Sequence, residues 1–188
     1  MILATRNPHK LHEFRRILGE SLDELPADVE LGPEVGSTFA ENALAKARTA
    51  ASATGVVAIA DDSGICADAL DGAPGVRSAR FAGEGASDAE NLALLIERVP
   101  PGSGLQYVCA LAYVDPHGGV EQLFEGRCEG SMASAPAGSG GFGYDPVFVP
   151  LEAGGETMAQ LPAAGKDAIS HRGRAIAALA RWLAAERG

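Results

Sequence analysis

The stretch from Thr38 to Ala60 constrains the fold more than any other part of the chain. Thr38-x-x-Glu41 has the form of a capping box, in which a hydroxyl and a carboxylate satisfy each other's backbone N–H groups at a helix start. Behind it Phe39, Ala43, Leu44, Ala47 and Ala51 recur at helical spacing. The spacing predicts a helix from Thr38 to Ala53 with one apolar stripe. Val56 to Ala60 follows as an unbroken apolar run, read as a buried strand that ends at the polar turn Asp61-Asp62-Ser63-Gly64. A one-sided helix running directly into a buried strand needs a sheet to cover both, which points to an α/β architecture.

The rest of the chain alternates in the same way. Met1 to Thr5 reads as a short buried strand, and Arg6-Asn7-Pro8 as a turn into a helix from about His9 to Leu18, with Lys10 in its first turn. Residues 71–85 read as a long loop, and Ser87 opens another helix through a second capping box with Glu90. Leu105 to Val114 and Val120 to Cys128 flank Asp115-Pro116-His117-Gly118-Gly119 and read as a hairpin. Ala135 to Gly143 is an ordered loop of small residues before the apolar Pro146 to Val149. A last helix runs from about His171 to Arg187, with Ile176, Leu179, Ala180 and Leu183 at helical spacing. No repeat or linker divides the chain, so residues 1–188 read as one mixed α/β domain.

Composition narrows the function. A net charge of −10 and many small apolar residues predict an alanine-rich core and argue against a general nucleic-acid surface, which needs clustered Lys and Arg. An anionic ligand would have to be held locally, by a metal ion and a few placed cations. The chain has 12 Arg but only three Lys, namely Lys10, Lys46 and Lys166. Lysine suits phosphate as a compact point charge. Cys66, Cys109 and Cys128 lack zinc-ligand spacing and read as buried inert thiols. No apolar run is long enough to span a bilayer, and the expected location is cytoplasmic.

Five blocks carry candidate chemistry. In LATRNPHK, a helix N-terminus with Lys10 suits phosphate, although an ordinary surface lysine would look the same. In TFAENALAKA, Asn42 and Lys46 share one helix face, while Glu41 already has a structural task as the capping acid. AIADDSG places two adjacent carboxylates at a strand end. Because neighbouring strand residues point to opposite faces, Asp61 and Asp62 should do different jobs, one bracing the structure and one facing a Mg²⁺ site. GSGGFGYDP offers close backbone approach and the rings of Phe142 and Tyr144, for stacking a base or for packing. KDAISHRGRA gathers Lys166, His171 and Arg172 as donors for keto oxygens or phosphates, or as an ordinary helix start.

In their order along the chain, these blocks, together with GAPGVRSARFAG, resemble the inosine/xanthosine triphosphate pyrophosphatase family almost from end to end. All three lysines fall inside its motifs. The resemblance implies an elongated, bent mixed β-sheet with flanking helices, forming two lobes around a central cleft, and a homodimer. It implies a Mg²⁺-dependent hydrolase that converts ITP, dITP, XTP or dXTP to the monophosphate and pyrophosphate. By similarity, Thr5, Arg6, Asn7, Pro8, His9 and Lys10 bind the triphosphate, and Lys46 contacts phosphate as part of the catalytic set. Asp62 is the general base and a metal carboxylate, and Ser63 touches substrate. Phe142, Gly143, Tyr144 and Asp145 line the base site, and Lys166, His171 and Arg172 read the 6-keto edge of the purine.

Two departures from the family pattern stand out. Arg6 stands where the family often has Gly or Ser, which implies an added phosphate contact or a narrower mouth. Pro33 precedes a single Glu34 where a pair of acids is common, so the second metal carboxylate is either Glu34 or Glu41. The competing readings are a pyrophosphatase for other modified nucleotides and a purine nucleotide sensor without turnover.

Overall fold

The computed structural model describes residues 1–19 and 22–186. Its strands are β1 (Ile2–Leu3), β2 (Asp23–Glu24), β3 (Ala58–Ala67), β4 (Gly104–Asp115), β5 (Val120–Met132) and β6 (Phe148–Pro150). Its helices are α1 (Pro8–Leu18), α2 (Phe39–Thr54), α3 (Asp88–Arg98), α4 (Ala163–Ile169) and α5 (His171–Glu186). The strands form one six-stranded sheet in the order β2-β1-β3-β4-β5-β6. β1 runs parallel to both β2 and β3, and β5 antiparallel to β6, so the sheet is mixed, as expected.

The helix starts follow local chemistry. Thr38 and Ser87 both close complete capping boxes, with Glu41 and Glu90, which leaves few orphan N–H groups in the first turns. Asn7 caps α1 and Pro8 occupies its first turn, where no N–H is needed. α2 ends at Gly55, whose φ of 64° lets the chain turn left-handed. The expectation of a final helix reaching Arg187 holds through Glu186; Arg187 lies outside the described residues.

One expectation needs correction. Asp61-Asp62-Ser63-Gly64 is not a turn after a strand but the middle of β3, which continues through Ile65, Cys66 and Ala67. Both faces of this strand are covered, and Asp61 and Asp62 are buried within it. Polar residues mark a strand end only when no partner meets them inside, and here cations from distant segments do. Residues 71–85 also hold more order than a plain loop, with a 3₁₀ stretch at Gly75–Arg80. β2, β6 and α4 are too short to leave a periodic signal and were not expected.

The chain divides into two compact units. The first comprises residues 1–62, 109–126 and 172–188, and the second residues 63–108 and 127–171. In the first, the alanines 43, 47, 50 and 51 of α2 pack on Ile2, Ala4, Ala58, Ala60, Ala110 and Ala112, the small-residue core that composition predicts. A second cluster in the same unit joins Phe14 of α1 with Leu3, Ile59, Leu111 and the Ala175, Ile176 and Leu179 stripe of α5. The second unit has a bulkier core around Ile65, Leu95, Tyr107, Phe148 and Met158.

Candidate active site

In the first unit, Asp61 and Asp62 leave β3 to different partners, as strand alternation requires. Asp61 Oδ2 lies 3.0 Å from Lys10 Nζ and accepts from Arg172 Nε at 3.2 Å. Arg172 Nη1 in turn donates to Glu13 Oε2 at 2.6 Å. The result is a row of alternating charges, Glu13, Arg172, Asp61 and Lys10. Burial alone would raise the Asp61 pKa, but Lys10, Arg172 and Lys46 outweigh it and hold the carboxyl well below its usual range. Burial and the neighbouring Asp61 charge push the Cys109 thiol far up, which makes it inert. Cys128 is likewise buried, whereas Cys66 is partly accessible.

Asp62 meets α2 instead. Asn42 Nδ2 donates to its Oδ2 at 2.9 Å, and Lys46 Nζ lies 3.8 Å from Oδ1. Lys46 also donates to Glu34 Oε1 at 2.6 Å. Asn42 is itself fixed by the Gly36 N–H, which donates to its Oδ1 at 2.7 Å. A Cβ at residue 36 would come within 2.6 Å of that oxygen, so only glycine permits the contact. Burial raises the Asp62 pKa, Glu34 raises it further, and Lys46 and Asn42 oppose them without prevailing. A carboxylate whose pKa is raised is a better proton acceptor than an ordinary aspartate.

The segment from Thr5 to Lys10 forms around the Asn7 cap. Asn7 Oδ1 accepts from the N–H groups of His9 and Lys10, and Thr5 Oγ1 accepts from the Asn7 N–H. The Lys10 ammonium of this segment reaches Asp61. Arg6 has backbone partners. Its guanidinium donates to the carbonyls of Leu25, Pro26 and Val29 at 2.6–2.8 Å and to Ala27 at 3.3 Å, and so ties down the chain that leads towards Glu34.

Glu41 is engaged by its cap. Its Oε2 accepts from the N–H groups of Ser37 and Thr38 and from Ser37 Oγ, while Glu34 is the acid joined to Asp62 through Lys46. Among the described residues no three or more His, Cys, Asp or Glu side chains gather as a metal cage. Glu34 and Asp62 are nevertheless two oxygen-donor side chains of the kind that hold a hard divalent cation, whose shell water and substrate phosphate would complete.

The second unit holds the remaining predicted residues around Asp145. Its carboxylate accepts from Lys166 Nζ at 2.7 Å, the Phe142 N–H at 3.0 Å and Tyr107 OH at 3.2 Å. A side chain at Gly141 would collide with Asp145 Oδ2, which explains the glycine there. Lys166 Nζ also sits 4.9 Å from the centre of the Phe142 ring, a cation–π distance. The His171 ring stacks on Tyr107 at 4.5 Å. Tyr144 is packed rather than presented, its OH donating to the Ser78 carbonyl at 2.7 Å, and the Gly143 N–H donates to Asp88. Ser63 follows Asp62 on β3 and is half-buried.

Within the expected trio the partners differ. Its Nε and Nη1 engage carboxylates of the first unit, while Lys166 and His171 belong with Tyr107 and Asp145 in the second. Sequence reasoning missed Glu13 and Tyr107. The trace of Glu13 was a carboxylate on the apolar Phe14–Ile17 side of α1, three residues after Lys10; Tyr107 left no signal.

A mixed sheet that buries two neighbouring carboxylates and answers them with lysines, together with the order of the sequence motifs, defines a nucleoside triphosphate pyrophosphatase, a hydrolase. The chain belongs to the Ham1 family, whose model matches residues 1–182. It is 49% identical to a dITP/XTP pyrophosphatase of Nocardia farcinica, over 98% of this chain and 95% of that protein. It is 48% identical to another so named from Mycolicibacterium paratuberculosis, over 94% and 91% of the respective chains. The structure of a HAM1 protein from Coxiella burnetii matches with a TM-score of 0.84 at 39% identity, covering 97% of both chains. Among the described residues no helix is long and apolar enough to cross a membrane.

Proposed function

We propose that this chain hydrolyses the α–β phosphoanhydride of deaminated purine nucleoside triphosphates, dITP and XTP with their counterparts ITP and dXTP, giving the monophosphate and pyrophosphate. The observation that carries this reading is Asp62, buried, held by Asn42 and raised in pKa by its surroundings. It orients a water and takes its proton as the water oxygen bonds to the α-phosphorus and the bridging oxygen leaves with pyrophosphate. Lys46 and Lys10 hold the phosphate oxygens. Glu34 and Asp62 hold the metal ion, proposed as Mg²⁺, which supplies positive charge against the triphosphate. The protein works as a cytoplasmic homodimer.

For the base, Lys166 and His171 are the donors aimed at the 6-keto edge, with Phe142 stacking. Arg172 supports the phosphate side through Asp61 rather than reading the base. Adenine offers a 6-amino group where these donors need an acceptor, and a site built on such bonds discriminates by about 10⁴ or more. Guanine keeps the keto group and is rejected less strongly. A pyrophosphate-release panel over ITP, dITP, XTP, dXTP, GTP and ATP, with Mg²⁺ and with chelator, tests the reading. Turnover highest on the deaminated purines and abolished by chelator is expected. Binding without pyrophosphate release would instead make the protein a nucleotide sensor.

A further inference from the structure

Lys46 occupies an unusual place for a phosphate-binding lysine. It is almost buried, and its ammonium lies between the two carboxylates assigned above to the metal, 2.6 Å from Glu34 Oε1 and 3.8 Å from Asp62 Oδ1. Two carboxylates thus face one cationic side chain. The side chain is also well anchored. It projects from α2, whose adjacent residues Ala43, Ala47 and Ala50 are fully buried against the sheet. One turn earlier, Asn42 holds Asp62 from its other oxygen.

A divalent cation held by Glu34 would have to share that carboxylate with the ammonium. Two like charges on one carboxylate in a partly dry site repel each other. Lys46 and the metal ion are therefore alternatives at Glu34 unless something draws the ammonium aside. A triphosphate does so, because it offers the lysine several anionic oxygens in exchange for one carboxylate.

We propose that Lys46 is a tethered counter-ion that keeps the metal site closed until nucleotide arrives, passing from Glu34 to the triphosphate as the site takes its cation. The site then admits the metal together with the nucleotide and stays nearly empty of metal without it. The same lysine would keep Glu34 and Asp62 from repelling each other in the resting protein. This inference rests on the metal assignment of the proposed function, and the test separates the two.

Mn²⁺ serves as the probe, its binding read by the electron paramagnetic resonance of the free ion and by calorimetry, so that no turnover is involved. The wild-type chain, Lys46→Met and the double variant Lys46→Met/Glu34→Gln are titrated without nucleotide, and the wild type again with α,β-methylene dITP. Wild type alone is expected to bind Mn²⁺ weakly and to gain affinity when the analogue is present. Lys46→Met is expected to bind at least about 10-fold more tightly than wild type without nucleotide, the effect of removing one charge within about 4 Å of the ion. The double variant should lose that gain.

Equal affinity of wild type and Lys46→Met would overturn the inference while leaving the metal assignment standing. Failure of the wild type to bind Mn²⁺ even with the analogue would overturn both. Should Lys46→Met melt before assay temperature, Lys46→Gln is titrated without nucleotide in its place: a gain of at least about 10-fold over wild type supports the proposal, and equal affinity refutes it.

Discussion

Neutralising each of the two adjacent aspartates should damage a different property of the protein. Asp61→Asn removes a charge that stands 3.0 Å from Lys10 and 3.2 Å from Arg172 in a fully buried position. Breaking a buried pair from one side costs about 3–5 kcal/mol. Arg172 keeps Glu13 at 2.6 Å, so the low end applies, about 3 kcal/mol. For a chain of this size that corresponds to a fall in Tm of roughly 6–12 °C. Asp62→Asn works the other way. Burial already disfavours the Asp62 charge, and an amide can still accept from Asn42, so stability should change by less than about 1 kcal/mol. Turnover of dITP should instead drop by about 10²–10⁴, the usual worth of a positioned general base. Thermal melts and a pyrophosphate-release assay at neutral pH, run on both variants, read the two effects. If both variants melt early by the same amount, or if Asp61→Asn melts with the wild type, the division of labour drawn from strand alternation is wrong.

The pH dependence of the same pair has a definite sign. The Asp61 pKa is lowered on folding, so its stabilisation is present above its ordinary value of 3.8 and is lost as pH falls through the lower folded value; the Tm gap between wild type and Asp61→Asn should narrow below pH 3.8, and a gap that stays constant to about pH 2 would contradict it. Lys166→Met strands the buried Asp145 with only its Tyr107 and Phe142 donors among those described above, and should cost about 3 kcal/mol in a denaturation experiment together with a loss of efficiency on dITP. Arg172→Ala should lower the Tm by a similar margin and slow dITP and dATP alike; a selective loss on dITP in the folded variant would return Arg172 to the base site. Arg6→Lys keeps the charge but loses the fork that grips four carbonyls, so amide exchange over residues 25–31 should quicken, and unchanged exchange would remove Arg6 as the tie.

The local parts of this fold were legible because their causes are local. Both capping boxes, the α2 stripe and the β4–β5 hairpin follow from residues within a few positions of one another. Asn42 and Lys46 could be paired from their spacing of four, and the opposed faces of Asp61 and Asp62 from strand alternation. The passage of β3 straight through Asp61 and Asp62 was hidden, since what makes two buried carboxylates tolerable there comes from Lys10, Asn42, Lys46 and Arg172, up to 111 residues away. The same distance hid the contacts of Arg172 with Glu13 and Asp61. The partners of Arg6 were hidden because its acceptors are backbone carbonyls, which carry no sequence signature. The two units left no local signal, each being assembled from separated segments, and only the family resemblance implied two lobes.

The alanine contact between α2 and the sheet also acts as a spacer. The helix face and most of the sheet face present single methyl groups, beside Ile2, so the helix axis lies close to the strands, and that closeness sets how far the Asn42 amide and the Lys46 ammonium extend towards their carboxylates. A larger residue at Ala47 or Ala50 would lift the helix by a fraction of an ångström and withdraw both groups together. Selection on such positions would act on the length of a reach as much as on the filling of a core, and a substitution far from any substrate would be felt first as a loss of aim.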